Sequence, residues 1–443
     1  MNAELYDADV LAELVPDLPG PVLAAARAAL AEAEPWWRRV ASVVLQNQAR
    51  VLAAFQAAGV AEHHLAPSTG YGIGDPGRAK VEEVFARVFG AEAALVRPQI
   101  VSGTHAITLG LFAVLRPGDE MIAAAGTPYD TLLPVLRGAP GSLAEWGVSY
   151  REVPLAPDGR PDLEALRRAI GPRTRAVFIQ RSRGYALRPS LTVAEIGRIV
   201  ETVRGVREDI VCVVDNCYGE FCETAEPTAA GADLVCGSLI KNPGGGLAPT
   251  GGYVVGRAEL VEAAAARLTA PGIGAEVGAS LGTTRLILQG LFLAPHVVGE
   301  ALAGAHFAAA FFARLGLNVR PRVDEPRTDL IQAVELGSAE ALVAFCEAVQ
   351  AASPVDSGAR PRPEAMPGYD DPVVMAAGTF VQGASIELSA DGPLRPPYAA
   401  YFQGGLTREH VVVAALQAAA ALWRRGLIPA AGGHAGGGPG ARL

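Results

Sequence analysis

The sequence predicts an α/β fold with a largely parallel sheet, followed by a second, smaller α+β domain. From residue 93 to residue 256, short apolar runs of strand length alternate with helical patterns. Strands separated by helical patterns of about 10 to 15 residues are typical of β-α-β units, in which the strands pair in parallel. The chain has 443 residues, more than a single hydrophobic core usually supports. We therefore expect two domains.

Four segments follow one another along the chain. Residues 1–65 carry apolar side chains at helical spacing and predict an N-terminal helical arm. Residues 66–310 hold the alternating units and form the predicted large domain, which would bind a cofactor. Residues 311–429 form the small domain, and the glycine-rich residues 430–443 predict a flexible tail. Within the small domain, the strand-like runs are residues 330–336 and 379–388.

Composition and charge argue against several classes of protein. Half of the residues are hydrophobic and 19% are charged, which favours a packed protein over a disordered one. A net charge of -9 without a basic patch argues against a nucleic-acid partner. The most apolar long stretch, residues 286–317, contains interrupting polar residues, so we expect a pair of buried helices and no membrane span.

We expect the protein to be cytoplasmic. Four acidic side chains lie within residues 1–13, unlike the basic and then apolar start of a secretory signal. The five cysteines show no C-x-x-C spacing, so we expect no metal site and a reducing compartment.

Polar side chains follow several predicted strands at the point where each strand ends. Asp215 ends one apolar run, Ser238 and Lys241 follow the next, and Tyr129 lies in the loop after an earlier one. The carboxyl ends of parallel strands meet at one edge of a sheet, where ligands bind. Burying a lysine is costly unless it is paired or chemically used. Lys241 is therefore either a reactive amine or a surface-loop lysine.

A helix start provides a second feature of the predicted site. Gly103 and Thr104 follow Ser102 at the beginning of an apolar helical pattern. Free backbone N–H groups and the positive end of the helix dipole suit a phosphate at such a position. An ordinary helix N-cap has the same pattern, so both interpretations stay open here.

One small molecule would use all of these residues. Pyridoxal phosphate carries a phosphate, an aromatic ring, a ring nitrogen that must stay protonated, and an aldehyde. We expect desolvation to lower the pKa of Lys241 and so to supply a free amine. The candidate partners are Gly103, Thr104 and Ser238 for the phosphate, Tyr129 for the ring face, Asp215 for the ring nitrogen, and Lys241 for an imine with the aldehyde.

The order of these motifs resembles that of the fold type I pyridoxal phosphate enzymes, within the Cys/Met metabolism group. In that group the chain is similar to the methionine γ-lyase-like family, whose members are also called aluminium resistance proteins. The resemblance extends over roughly residues 60–425 and rests on several motifs in the same order. These motifs are residues 71–78, 96–99, 102–106, 180–185, 214–221, 241–246 and 401–406.

The resemblance implies a carbon-sulfur lyase that acts by α,β- or α,γ-elimination on an amino acid such as cystathionine or methionine. Lys241 would be the Schiff-base lysine and would move the Cα proton, Asp215 would hold the ring nitrogen, and Tyr129 would stack on the ring and protonate the leaving group. The same fold also supports aminotransferases and aldolases. A non-catalytic stress-response protein that keeps the fold is the second hypothesis.

The resemblance also implies a homodimer or homotetramer with active sites shared between subunits. Tyr71 and Arg78 resemble a tyrosine and an arginine that relatives extend into the neighbouring subunit's phosphate site. In this chain the two are seven residues apart, a longer spacing than in relatives with lyase activity. For the substrate carboxylate, the candidate is Arg395 in a proline-containing loop of the small domain, with Arg181 as the alternative.

Overall fold

The computed structural model of the protein describes residues 8–15 and 17–428. It contains one sheet of seven strands and one of five, and a long helix, α9 (Thr284–Arg314), leads from the first sheet to the second. The predicted α/β fold with a mostly parallel sheet is confirmed. The predicted tail at residues 430–443 lies outside the described residues.

Two helices form the N-terminal part of the described chain. Helix α1 (Ala8–Leu14) is short, whereas α2 (Gly20–Ala58) runs for 39 residues with Pro35 inside it. Gly59 ends α2 in the left-handed conformation, with φ of 61°, which glycine adopts without steric cost. Helix α2 packs along α9. At this contact the Trp37 indole donates a hydrogen bond of 2.8 Å to the Ala303 carbonyl.

The seven-stranded sheet has the order β1-β7-β6-β5-β4-β2-β3. Strands β2 to β6 run parallel, and β7 is antiparallel to both of its neighbours, β1 and β6. The strands are β1 (Ala93–Arg97), β2 (Glu120–Ala123), β3 (Ser149–Glu152), β4 (Thr174–Gln180), β5 (Val211–Asp215), β6 (Leu234–Ser238) and β7 (Gly252–Gly256). The helices that cover the sheet are α3 (Pro76–Phe89), α4 (Gly103–Val114), α5 (Leu133–Leu136), α6 (Leu163–Ala169), α7 (Val193–Arg204) and α8 (Ala258–Leu268).

The central strands are buried on both faces. Along β5, Cys212 and Val214 belong to the hydrophobic cluster on one side of the sheet, whereas Val211 and Val213 belong to the cluster on the other side. Successive side chains of a strand point to opposite faces, so a strand covered on both faces is continuously apolar. The apolar run therefore continues to the polar residue that ends the strand, Asp215.

The five-stranded sheet is antiparallel, with the order β10-β11-β12-β9-β8. Helix α10 (Ala339–Ala351) packs against β10, β11 and β12, and α11 (Arg408–Arg424) packs against α9 and α10. The strands are β8 (Asn318–Arg320), β9 (Ile331–Glu335), β10 (Val373–Ala376), β11 (Ser389–Pro393) and β12 (Ala399–Gln403).

The strand predicted at residues 379–388 is wrong. This segment is a series of turns between β10 and β11. The backbone N–H groups of Phe380 and Val381 donate hydrogen bonds of 2.8 and 2.9 Å to the Glu387 carboxylate, so they do not take part in a strand ladder. The apolar residues there suggested a strand, but local side-chain hydrogen bonds determine the backbone conformation.

The apolar stretch at residues 286–317 forms most of α9, a single helix in place of the expected pair. By length and composition α9 could cross a membrane, yet 67% of its most apolar 18-residue window is buried inside the protein. It packs against α2, α3 and α11. This burial is the pattern of a core helix. Helix α9 also passes through residue 310, where the boundary between the two domains is predicted.

We expect Gly304→Ala to lower the free energy of unfolding by about 1–3 kcal/mol, the usual effect of overpacking a core. Gly304 lies in α9 where α11 crosses it, and a Cβ there would lie within 2.8 Å of three Val411 atoms, including Cβ. Rotating the Val411 side chain cannot relieve that overlap. Chemical denaturation would measure the loss.

The matched control is Gly197→Ala in α7, where an added Cβ would lie 3.5 Å from its nearest neighbour, the Ala230 methyl. That substitution should leave stability unchanged or raise it slightly, because alanine favours helix. Equal effects of the two substitutions would contradict the packing argument.

Candidate active site

One pocket lies between the carboxyl ends of the parallel strands and one face of the small sheet. All six residues that the sequence assigns to the phosphate, ring and aldehyde line this pocket. Asp215 ends β5 and Ser238 ends β6, while Lys241 follows three residues later. The six residues are Gly103, Thr104, Tyr129, Asp215, Ser238 and Lys241.

The start of helix α4 and the end of β6 meet at one end of the pocket. Ser102 caps the helix, and its side chain accepts a hydrogen bond of 3.0 Å from the His105 N–H. A Cβ at Gly103 would lie 3.0 Å from Cys217 Sγ and 3.4 Å from Ser238 Cβ, so glycine allows the helix to approach the strand end. The Ser238 hydroxyl is buried without a hydrogen-bond partner among the described residues.

Buried polar atoms are nearly always hydrogen-bonded, so the Ser238 hydroxyl indicates a missing ligand. A phosphate would supply acceptor oxygens to that hydroxyl and to the free N–H groups at the start of α4. The residues at this end of the pocket therefore fit the phosphate of the predicted cofactor.

Tyr129 is fixed at both its backbone and its hydroxyl group. Its N–H donates a hydrogen bond of 2.8 Å to the Gln180 side-chain oxygen, and its hydroxyl lies 2.9 Å from Thr104 Oγ1. Burial raises the pKa of Tyr129 well above its ordinary value, and the charge of Asp215 adds to this effect. The phenol therefore keeps its proton at neutral pH.

Asp215 is a buried carboxylic acid at the centre of the site. It accepts a hydrogen bond of 3.0 Å from the Cys217 N–H. Burial raises its pKa, although the hydrogen bonds from Cys217 and the charges of Lys241 and Arg188 oppose that rise. A buried carboxylate is stabilised by a positive partner, and a protonated ring nitrogen would be one.

The expectation that desolvation lowers the pKa of Lys241 is wrong for this structure. Burial does act in that direction, but interactions with Tyr218, Cys217 and Asp215 outweigh it, and the net pKa is raised. Lys241 Nζ lies 3.6 Å from the centroid of the Tyr218 ring, a cation–π distance. Lys241 is therefore held as an ammonium group against the Tyr218 ring.

Tyr218 is a site residue to which the sequence assigns no role. Its backbone has φ of 71°, a conformation that is uncommon for residues other than glycine and concentrates at functional sites. A left-handed conformation three residues after a strand leaves no pattern of hydrophobicity in the sequence, so only the structure identifies it. The strained backbone places the ring against Lys241 Nζ.

The small sheet supplies the opposite wall of the pocket, which the sequence missed. Ser389 and Asp391 of β11, and Tyr401 and Gln403 of β12, all line the pocket. In each strand the two lining residues are two positions apart, so they lie on the same face of the sheet. This spacing is the feature of the sequence that could have identified them. The misplaced strand at residues 379–388 concealed it.

Arg181 is not available to bind a substrate. Its guanidinium group is fully buried and donates to Asn216 Oδ1 and Glu223 Oε2, each at 2.7 Å. Glu226 lies 3.8 Å from the same group. The sequence-based assignment of Arg181 to the substrate carboxylate is therefore wrong, because this arginine neutralises two glutamates beneath the site.

Arg395 lies near the mouth of the pocket and pairs with Asp371 at 3.0 Å. Both side chains are substantially exposed, and the charge of Arg395 lowers the pKa of Tyr401 against the effect of burial. Its role toward a substrate carboxylate stays a prediction. The described residues that line the pocket include no arginine.

Tyr71 and Arg78 differ in exposure to solvent. Tyr71 is 77% exposed and extends from the surface. Arg78 is buried and donates hydrogen bonds to the carbonyls of Gly72, Gly278 and Glu276 at 2.6, 2.8 and 3.0 Å. These contacts hold the guanidinium within its own subunit, contrary to the expectation that Arg78 extends into a neighbour.

No metal-binding group is found in the described part of the chain. Residues 8–15 and 17–428 contain no group of three or more His, Cys, Asp or Glu side chains that could hold a metal ion. The five cysteines are all buried and unpaired with one another.

Comparison with known proteins places this site in a family. The family model for methionine gamma-lyase matches residues 22–423. The chain is 52% identical over 395 residues to the uncharacterized protein YnbB of Bacillus subtilis, an alignment that covers 88% of this chain and 94% of YnbB. The residues matched by the family model include every residue of the candidate site.

Solved structures agree with the sequence match. A carbon-sulfur lyase involved in aluminium resistance from Clostridium novyi superposes with a TM-score of 0.88 at 44% identity, over 93% of this chain and 98% of that one. The pyridoxal-5'-phosphate dependent protein YhfS of Escherichia coli superposes with a TM-score of 0.58 at 19% identity, over 85% of this chain and 96% of that one. The second likeness is one of fold.

We expect Arg181→Ala to lower the free energy of unfolding by about 3 kcal/mol, because it leaves the partly buried Glu223 without its counter-charge and the buried Glu226 with Arg50 as its remaining ion-pair partner. Arg395→Ala, which removes an exposed pair, should change stability by about 0.5 kcal/mol or less. Chemical denaturation of the two variants would measure the difference. An Arg181→Ala protein of normal stability that had lost only substrate affinity would restore the original assignment.

Proposed function

The chain belongs to the methionine gamma-lyase family, and on that premise we propose that it catalyses α,β- or α,γ-elimination on a sulfur amino acid such as cystathionine or methionine. It is a pyridoxal phosphate-dependent enzyme of the carbon-sulfur lyase family. The observation that carries the proposal is the convergence of Lys241, Asp215, Tyr129 and the partnerless Ser238 hydroxyl in one pocket.

The residues present fit pyridoxal phosphate at each of its functional groups. Gly103, Thr104 and Ser238 would hold the phosphate, Tyr129 would stack on the ring, and Asp215 would pair with the ring nitrogen. Lys241 would attach the cofactor covalently. When bound, pyridoxal phosphate supplies an electron sink that stabilises negative charge on the substrate Cα.

Lys241 is the group we assign to the Cα proton. An amine must be neutral to accept a proton, and the structure holds Lys241 as an ammonium beside Asp215. A protonated ring nitrogen next to Asp215 would neutralise the carboxylate and so remove one of the interactions that raise the pKa of Lys241. Cofactor binding would therefore favour the neutral amine.

Tyr129 is the group we assign to the leaving sulfur. Its phenol is protonated at neutral pH, as the ordinary pKa of tyrosine, about 10, already requires, and burial and the charge of Asp215 raise that pKa further. A protonated phenol can donate its proton to a departing thiolate. Because a thiolate is a weaker base than an alkoxide, its departure needs less help from a proton donor. Thr104, at 2.9 Å from the phenol oxygen, orients the hydroxyl.

We also propose a cytoplasmic homodimer or homotetramer with shared active sites. Three large apolar side chains are exposed on two loops that touch each other: Tyr71, Ile73 and Leu281 are 77%, 73% and 64% exposed. The loops are joined by hydrogen bonds from Gly278 N to Tyr71 O and from Leu281 N to Ser68 O. A contiguous exposed apolar patch favours contact with another subunit.

Lys241→Ala should abolish both the visible absorbance of lysine-bound cofactor and turnover. The loss follows because no other lysine lines the pocket among the described residues. Absorbance spectra of purified wild type and variant would measure the first effect. Keto acid, ammonia and thiol released from a panel of sulfur amino acids would measure the second.

The same panel separates the alternatives. Keto acid formed together with ammonia and thiol supports the lyase, whereas amino-group transfer to an added keto acid would indicate an aminotransferase. Cofactor binding without turnover of any panel member would favour the non-catalytic stress-response protein and contradict the lyase.

Ser238→Ala should weaken cofactor affinity by about tenfold or more, because a hydrogen bond to a charged group is lost. Titration of the cofactor-free protein with pyridoxal phosphate, followed by absorbance, would measure the change. Ser385→Ala is the matched control, since Ser385 lines the same pocket from the small domain and its hydroxyl also lacks a partner. Equal weakening by both substitutions would contradict the phosphate assignment.

A further inference from the structure

We propose that Asp391, with the tyrosines around it, forms a binding site for a positively charged group on the leaving half of the substrate. This inference rests on the proposed function for the place of the substrate in the pocket. It narrows the substrate class to thioether amino acids whose departing half carries an ammonium group.

Asp391 projects into the pocket because of its position in β11. Ser389 and Asp391 are two residues apart in this strand and therefore share one face, and both line the pocket. Across the sheet, Asp391 is opposite Tyr401 of β12 and Met375 of β10, which line it as well. The small sheet thus presents one carboxylate to the cavity, surrounded by uncharged side chains.

The carboxylate of Asp391 is only partly satisfied. Its Oδ2 accepts a hydrogen bond of 3.2 Å from the Gln403 side chain. Its Oδ1 is buried without a hydrogen bond of normal geometry among the described residues, although the Tyr185 side chain lies close enough to lower the pKa of Asp391 by hydrogen bonding, and the residue as a whole is only 7% exposed. A buried carboxylate oxygen without a donor is costly, so this atom marks the position of a ligand donor.

The electrostatic environment favours a cation. Burial raises the pKa of Asp391 to about 7, against the opposing effects of Tyr185 and of the charge of Lys241. The described part of the chain supplies no arginine to this pocket, and Lys241 is the lining residue with an ammonium group. Because the proposed function needs Lys241 as a neutral amine, an ammonium group on the substrate would be the counter-charge that stabilises the Asp391 carboxylate.

Tyrosine rings stand beside the carboxylate. The Tyr185 ring centroid lies 5.0 Å from that of Tyr401 and 5.6 Å from that of Tyr369, and all three residues line the pocket. The Tyr401 hydroxyl donates a hydrogen bond of 2.6 Å to the Tyr185 carbonyl and fixes the arrangement. Aromatic faces attract cations, so the rings add to the effect of the carboxylate.

A neutral leaving group would fit this wall poorly. The methyl group of a methionine-like substrate cannot donate to Asp391 Oδ1, and it would displace the water that could otherwise do so. A site built to bind a donor discriminates strongly against an analogue that lacks it, because its own polar group is left unpaired. An ammonium group would satisfy the oxygen and contact the tyrosine rings.

The test compares the binding of L-lysine and L-norleucine, which differ by a terminal ammonium group, to the cofactor-loaded protein. Neither has a sulfur leaving group, so calorimetry measures binding without elimination. We expect wild type to bind L-lysine at least about tenfold more tightly, the usual size of a hydrogen bond to a charged group. Asp391→Asn should remove this preference and leave L-norleucine affinity within about twofold.

Asp130→Asn is the matched control, because Asp130 also lines the pocket. Its lysine preference should equal that of wild type, and removal of the preference by Asp130→Asn alone would overturn the assignment of Asp391. Equal affinity of wild type for the two ligands would also overturn it. Asp391→Asn keeps an oxygen that can accept from Gln403, and an unchanged melting temperature and cofactor spectrum would show that the variant folds.

The activity counterpart uses S-(2-aminoethyl)-L-cysteine and S-propyl-L-cysteine. Asp391→Asn should lower kcat/KM for the first about tenfold and leave the second nearly unchanged, whereas an equal loss for both would indicate a general role and overturn the proposal. The binding and activity results are separable. A preference for L-lysine without turnover of any sulfur amino acid would refute the lyase activity but support the cation-binding role of Asp391. Turnover of sulfur amino acids without a preference for L-lysine would support the lyase activity and refute that role of Asp391.

Discussion

The rest of this structure depends on one constraint, which is that two oppositely charged side chains lie in the same pocket. These are Asp215 at the end of β5 and Lys241 just after β6. Asp215 and Lys241 act on each other's pKa, and burying a charge without a partner is costly. The parallel sheet brings the two charged residues to the same edge. Register pairs Asp215 with Cys236, two residues before Ser238, so the acid, the hydroxyl and the amine necessarily meet at one edge.

Around that edge, the layers beneath the site hold the strand ends in place. Arg181 neutralises Glu223 and Glu226 directly under the loop that carries Tyr218. Tyr253 donates to Glu220 at 2.7 Å, and Asn242 donates to the Glu220 carbonyl at 2.9 Å. These buried networks connect the residues on either side of Lys241 to the sheet. A rigid support of this kind keeps reacting groups in position.

The two sheets contribute different groups of residues to the pocket. The parallel sheet and helix α4 supply every group that we assign to the cofactor, and the antiparallel sheet supplies Asp391 and Tyr401 on the opposite wall. Substrate selection can therefore vary through the small sheet while the cofactor groups stay fixed. This separation explains how one fold supports many reactions on amino acids.

The sequence by itself determined the α/β fold, the order along the chain of the strands in the seven-stranded sheet, and six candidate residues that line one pocket, because these depend on local periodicity and on polar residues at strand ends. The sequence did not predict which groups each charged side chain contacts. Arg181, Arg78 and Lys241 have ordinary sequence neighbours, and only the tertiary structure brings Glu223, the Gly278 carbonyl or Tyr218 against them. Asp391 became visible only once β11 was placed opposite β12, because pairing between strands is long-range and leaves little trace in a single strand.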